Sequence, residues 1–195
     1  RIAVGHIERG NPAVRAVKRM LDRNMIGDVY RISTQRVGPS PVRIRDVGVT
    51  LDLATHDLDV MRYLASSEAV SYRAIAQRRC HNGLEDSLNA LIQFDNGIVG
   101  VLECDWLTPV KRRGLTIVGE DGIIEADYNE QRVRMCHGSD LCAWIELETD
   151  EPLKTEIEAF LCAIRGEGEP IATALDGFNA VKMAYKILEL VNENA

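Results

Sequence analysis

The stretch that decides the fold is SLNALIQFDNGIVGVLECDW, residues 87–106. Apolar and polar side chains alternate on both sides of Asp95-Asn96-Gly97, and this period of two is typical of half-buried strands. Asn-Gly between two such runs is the strongest short-range signal for a hairpin, because both turn positions tolerate a positive φ. The stretch therefore predicts two antiparallel strands, 87–94 and 98–106, joined by a tight turn.

Similar strand patterns surround this hairpin, and helical patterns stand at both ends of the chain. Strands are predicted at 29–37, 70–78, 115–118, 123–128, 133–136 and 143–147, with a shorter run at 2–5. Apolar residues recur every three to four positions at 12–26, 49–64, 153–165 and 175–192, which predicts helices. This order predicts an α+β fold, in which an open-faced, mostly antiparallel sheet carries its helices on one face. The uncovered face would be a natural place for subunits to meet.

Composition narrows the class of protein. The chain has 195 residues, 46% of them hydrophobic, and a net charge of −7, which argues against nucleic acid as a partner. It has neither an apolar run long enough to span a membrane nor a signal sequence, and five cysteines without a CxxC motif predict reduced thiols in a cytoplasmic protein. Because the first residue is Arg1, we expect a piece of a longer protein.

The most informative candidate site is LDLATHDLD, residues 51–59. On a helix, Asp52 and His56 would share one face, one turn apart, within an otherwise apolar segment. An imidazole beside a carboxylate can move a proton near neutral pH, although buried His–Asp pairs also serve as plain packing and hydrogen bonding. From the spacing alone, both interpretations stay open.

Other motifs are weaker. Gly166-Glu167-Gly168 follows a helix instead of a strand, so it does not fit a dinucleotide-binding loop. Cys136, His137 and Cys142 do not have a standard zinc spacing, and no metal site is predicted.

Several segments together resemble the C-terminal domain of the Gfo/Idh/MocA oxidoreductases. They are VGHIERGNPA at 4–13, LDLATHDLD at 51–59, FDNGIVG at 94–100 followed by Glu103 and Trp106, IVGEDGIIE at 117–125, and Glu158-Ala159-Phe160 with Ile164-Arg165-Gly166. The likeness spans almost the whole chain and is carried by the order and spacing of these motifs. Within the family, the opening and the 43–59 segment most resemble UDP-N-acetylglucosamine 3-dehydrogenase-like members. Gly10 departs from that subgroup, which usually has an aromatic residue there.

The resemblance implies a fold like the C-terminal domain of dihydrodipicolinate reductase. Residues 1–27 would be the junction strand and helix from a nucleotide-binding domain, and 28–195 the substrate-binding and oligomerisation domain. The cofactor, NAD or NADP, and a catalytic lysine would belong to a Rossmann domain absent from this chain, so the fragment alone would be inactive. His56 would exchange the proton of the hydroxyl being oxidised, and Asp52 would orient substrate or imidazole.

The substrate would then be a sugar or nucleotide-sugar, and the assembly a homodimer or tetramer. Arginines concentrate around the Asp52–His56 segment in an otherwise acidic chain, which suggests an anionic substrate. The substrate-binding candidates are Arg9, Asn11, Arg43 and Arg45, although Asn11 also fits a helix cap and the arginines also fit a solvated surface. A non-catalytic binding or assembly module of the same fold and a stand-alone hydrolase using Asp52 and His56 remain as alternatives.

Overall fold

The structure is a computed structural model, and it describes residues 1–41, 44, 46–80, 83–138 and 141–193. Eight strands form one sheet: β1 (Val29–Val37), β2 (Ala69–Gln77), β3 (Ser87–Phe94), β4 (Val99–Asp105), β5 (Arg112–Gly119), β6 (Ile123–Asp127), β7 (Arg132–His137) and β8 (Leu141–Ile145). The helices are α1 (Pro12–Asp22), α2 (Thr55–Ala65), α3 (Pro152–Arg165) and α4 (Ala174–Glu193). The short run at 2–5 forms only an isolated bridge between Ala3 and Thr173.

The strands lie in the order β2-β3-β4-β1-β5-β6-β7-β8. Every neighbouring pair is antiparallel except β1 and β4, which run parallel. The β3–β4 hairpin turns at Gly97, whose φ of +87° suits a residue without a side chain. The mostly antiparallel sheet is confirmed, and the parallel pair arises because β1 enters the middle of the sheet between two segments that follow it in sequence.

The alternation of side chains along each central strand separates a covered face from an open one. Ile32 of β1, Leu102 of β4 and Ile117 of β5 are almost fully buried in the core shared with α1, α2 and α4. Their neighbours in sequence, such as Ser33 and Val101, lie on the other face of the sheet and are only partly buried. The predicted open-faced layer with helices on one side is therefore confirmed.

The helical segment around Asp52 differs from a single helix over 49–64. A π-helical turn covers Thr50–Ala54, and the α-helix α2 follows from Thr55. A π turn takes one more residue than an α turn, so it changes the direction in which Asp52 projects relative to His56. Such turns often occur at functional sites.

The expectation of reduced thiols throughout is wrong at one pair. Cys136 of β7 and Cys142 of β8 stand directly opposite in the ladder and form a disulfide. Cys80, Cys104 and Cys162 are free. The pairing depends on the register between two strands, which the spacing of the cysteines in the sequence does not reveal.

A close backbone contact explains why residue 10 is a glycine. A Cβ at this position would lie 2.8 Å from the carbonyl oxygen of Pro152 at the start of α3, so even alanine would force a shift. The absence of the aromatic residue expected from the resemblance therefore goes with a close approach of α3.

Candidate active site

A cavity of about 400 Å³ opens where β1 ends, beside the π turn and the start of β5. Asp52 and His56 both line it, so the two candidate residues of the sequence share one cavity. The apolar part of the wall includes Ile44, Leu53 and Trp106, and its ionisable residues are Glu8, Arg36, Asp52, His56, Asp105, Lys111 and Arg113. The cavity is therefore a pocket with both water-excluding and charged walls.

His56 is partly buried and has properties of a proton acceptor. Burial, assisted by the positive charge of Arg36, lowers the pKa of its imidazole from 6.5 to about 4. The ring is therefore neutral near pH 7 and has a lone pair available for a proton. Among the described residues no hydrogen bond joins His56 to Asp52, so the cavity rather than a direct contact unites the predicted pair.

Beneath the cavity lies a buried ion-pair cluster that connects β1 with α2. Arg36 donates to both carboxylate oxygens of Asp57, at 2.8 and 3.2 Å, and to Glu8 at 2.9 Å. Although burial opposes it, the carboxylates of Asp57 and Glu8 raise the pKa of Arg36 above its ordinary value. Arg36 is thus a fixed positive charge near His56, and its main hydrogen-bonding capacity is used within the protein.

A second histidine packs against the first. The ring centroids of His6 and His56 lie 5.9 Å apart in an edge-to-face arrangement. His6 is buried, and burial lowers the pKa of its ring. Both of its ring nitrogens lack hydrogen-bond partners among the described residues. Two neutral imidazole rings therefore pack against each other.

Arg9 and Asn11, two of the predicted substrate ligands, lie outside the cavity lining. Arg9 is buried and binds both oxygens of Asp59 at 2.7 and 2.8 Å, with Asp176 at 3.0 Å. Asn11 caps α1, because its side chain accepts from the amide of Ala13 at 3.0 Å. The other two predicted ligands, Arg43 and Arg45, lie outside the described residues.

The residues that sequence reasoning missed are Lys111 and Arg113, with Glu8 as the partner of Arg36. The basic run Lys111-Arg112-Arg113, at the start of β5, was the feature of the sequence that could have identified Lys111 and Arg113. Which of these residues reaches the cavity depends on the strand register. Arg113 projects with buried Leu115 and Ile117, whereas Arg112 faces the open side of the sheet.

The described residues show neither a nucleotide-binding turn nor a metal-binding cluster. In the described part of the chain, no glycine-rich turn of the dinucleotide-binding kind joins a strand to a following helix. The described residues also include no group of three or more His, Cys, Asp or Glu side chains placed to hold a metal ion. None of the described helices is long and apolar enough to cross a membrane.

Comparison with known proteins gives consistent matches. A family model described as the GFO/IDH/MocA C-terminal domain matches residues 14–125. UDP-N-acetylglucosamine 3-dehydrogenase of Acidithiobacillus ferrooxidans is 25% identical over 195 residues, covering 95% of this chain and 61% of that enzyme. The scyllo-inositol 2-dehydrogenase (NAD(+)) of Bacillus subtilis is 27% identical over 188 residues, covering 89% of this chain and 55% of the enzyme.

A solved structure agrees with these sequence matches. That of UDP-N-acetylglucosamine 3-dehydrogenase GnnA from Acidithiobacillus ferrooxidans has a TM-score of 0.87 at 25% identity, covering 97% of this chain and 61% of that chain. The present chain thus spans less than two thirds of the length of these relatives.

Proposed function

Because the chain belongs to the Gfo/Idh/MocA oxidoreductase family and matches its C-terminal domain, we propose that it is the substrate-binding half of an NAD(P)-dependent dehydrogenase. Its substrate would be the hydroxyl group of a sugar or nucleotide-sugar. The observation that carries the proposal is the neutral His56 in a charged and partly apolar cavity. The relatives named for oxidising inositol and UDP-N-acetylglucosamine support the substrate class.

Oxidation of an alcohol removes a hydride from carbon and a proton from oxygen. A nicotinamide cofactor, held by a part of the enzyme outside this chain, would supply the hydride acceptor. An imidazole nitrogen of His56 accepts the hydroxyl proton, since its ring is neutral near pH 7. The Asp52 carboxylate orients the hydroxyl or the resulting imidazolium from the same cavity.

The surroundings of His56 set its resting protonation state. Ile44, Leu53 and Trp106 limit water in the cavity. Arg36 is held in place by Asp57 and Glu8, so it acts on His56 as a fixed charge. That charge helps to keep the resting ring neutral.

The proposal is tested with His56→Ala in the full-length protein that contains this chain. NADH or NADPH formation from UDP-N-acetylglucosamine and scyllo-inositol would be followed by absorbance. Loss of the base should lower kcat about 10²- to 10⁴-fold with little change in KM. His137→Ala is the matched control, because His137 lies on β7 and outside the cavity lining.

Activity of His56→Ala close to that of the unmodified protein would contradict the assignment, provided both melt at similar temperatures. If the unmodified full-length protein reduces neither cofactor with a panel of sugars and nucleotide-sugars, the alternative of a non-catalytic binding or assembly module gains support. Turnover by the unmodified protein would eliminate that alternative.

We also propose that subunits pair through the open face of the sheet. The face carries exposed apolar side chains, including Ile75 and Leu91, interspersed with polar pairs such as Gln35 with Glu103. Such a mixture is common at interfaces between subunits.

A further inference from the structure

Two cations line the cavity without a carboxylate in ion-pair contact among the described residues. Arg113 is half-buried, and Lys111 lies two residues before it at the cavity rim. Among the described residues, neither side chain forms an ion pair or a side-chain hydrogen bond. This pair therefore lacks the internal partners that a half-buried cation ordinarily has.

The other arginines of this region are satisfied within the fold. Arg36 is held by Asp57 and Glu8, and Arg9 by Asp59 and Asp176. These four carboxylates are therefore each ion-paired with an arginine other than Arg113. A planar guanidinium with free donors at the wall of a cavity is suited to a bidentate oxyanion.

The electrostatics of the pair agree with the geometry. The charge of Arg113 is the main factor that lowers the pKa of Lys111, and burial with the charge of Arg36 lowers the pKa of Arg113. The carboxylates of Glu8, Asp57 and Asp52 raise the pKa of Arg113, but they offset its lowering only in part. An anion between Lys111 and Arg113 would relieve this mutual repulsion, so the pair should be more stable with a ligand than without it.

The rest of the cavity indicates which kind of anion fits. Trp106 and Ile44 provide apolar surface, while His56 and Asp52 line the same space. A volume of about 400 Å³ accommodates more than an isolated ion. A ligand in which a sugar carries an anionic group would contact both parts of the cavity. The anionic group would lie against the two cations, and a sugar hydroxyl would lie near His56 and Asp52.

We propose that Lys111 and Arg113 form an anion subsite that holds a phosphoryl group of a nucleotide-sugar, with the sugar ring directed towards His56. This inference rests on the proposed function and specifies its substrate as phosphorylated. Its residues, Arg113 on β5 and Lys111 just before that strand, are not among the arginines predicted from the sequence. Arg113 and Lys111 bind and position the substrate, and His56 exchanges the proton.

The test measures binding of UDP by isothermal titration calorimetry in the full-length protein, with uridine and glucuronate as comparison ligands. Each of Lys111→Gln and Arg113→Gln should weaken UDP binding about tenfold or more, because a charge-assisted hydrogen bond is lost. Binding of uridine should change less than twofold. Arg112→Gln is the matched control, since this neighbouring arginine faces the open side of the sheet.

Unchanged UDP affinity in both cavity variants, or an equal loss in Arg112→Gln, would overturn the subsite. Tighter binding of glucuronate than of UDP, lost in the same variants, would overturn the assignment to phosphate in favour of a sugar carboxylate. Lys111 is exposed, so its variant keeps the test decisive if Arg113→Gln fails to fold.

This experiment is separable from the test of hydride transfer, because UDP binding is measured without turnover. Binding that depends on Lys111 and Arg113 in a protein that forms no NADH would support the subsite while the dehydrogenase proposal fails. If the protein oxidises a sugar and the rate does not depend on Lys111 or Arg113, the dehydrogenase proposal is supported and the subsite is not.

Discussion

His56 illustrates how a residue acquires its chemistry from its surroundings. Alone, an imidazole is half-protonated near pH 6.5, where it is both a weak acid and a weak base. In the fold, burial and the positive charges of Arg36 and Arg113 disfavour its protonated form, while Glu8 offsets them in part. The ring is therefore kept as a proton acceptor over the whole neutral range.

The pKa of His56 predicts a specific pH dependence. The acidic limb of kcat/KM should have its midpoint near 4 instead of 6.5, because His56 must be neutral to accept a proton. Arg113→Gln should move this midpoint upward, since it removes a charge that disfavours the imidazolium. A pH–rate series on the full-length protein with the cognate substrate checks both; a midpoint near 6.5 in the unmodified protein would contradict the expectation.

The same shift affects stability, with a defined sign. Between pH 6.5 and 4 the unfolded chain takes up a proton at His56 that the folded chain does not. The free energy of unfolding therefore falls as the pH falls through this window, and His6 acts in the same direction. Melts of the unmodified protein would accompany the kinetic series, so that unfolding is not mistaken for titration of the base.

At the level of elements, Arg36 and Asp57 tie β1 to α2. Both side chains are almost fully buried, and α2 is the element that presents His56. Breaking such a pair leaves a buried charge without its partner, which is far more costly than losing a surface pair. The cluster therefore holds in place the helix from which the candidate base projects.

Asp57→Asn should lower the free energy of unfolding by about 3–5 kcal/mol, as the Arg36 guanidinium then retains only Glu8 as a charged partner. Urea denaturation followed by circular dichroism measures the change. The control is Asp22→Asn, which removes the exposed Lys18–Asp22 pair on α1 and should cost at most about 1 kcal/mol. Equal losses in the two variants would show that burial of the Arg36 pair is not decisive.

Elements were predictable from sequence to different degrees. The β3–β4 hairpin and the caps of α1 are local, so their residues specify them directly. The π turn at Thr50–Ala54 has no local signature and became visible only in the fold. The sequence also predicted the apolar face of α3, which includes Ile157 and Leu161. These side chains are nevertheless substantially exposed in this chain.

The whole molecule is a layered structure with one sheet face covered by helices and the other open. Side chains on the open face are mixed in character, as in the Arg134–Glu125 pair beside the exposed Trp144. Burial of apolar groups within this mixture would stabilise a subunit contact, and the polar groups would set its register.

Leu91→Arg, on the open face of β3, should reduce the assembly of the full-length protein to smaller species, because a charge would be buried at the contact. Light scattering coupled to size-exclusion chromatography gives the mass. Leu161→Arg on α3 is a matched control, since its leucine is similarly exposed, at 45% against 52%, but lies on the helical side. An unchanged mass in Leu91→Arg would exclude the open face as the interface.

The sequence by itself determined the strands, the main helices, the antiparallel hairpins and the segment that carries Asp52 and His56, because periodicity and turn residues are local properties. Only the tertiary structure decided the parallel contact of β1 with β4, the disulfide between Cys136 and Cys142, and the partners of each arginine. These depend on strand order and register, which bring together residues distant in sequence. Arg36 and Arg113 both line the cavity, yet Arg36 is ion-paired with two carboxylates and Arg113 with none among the described residues. Nothing local to either arginine distinguishes them.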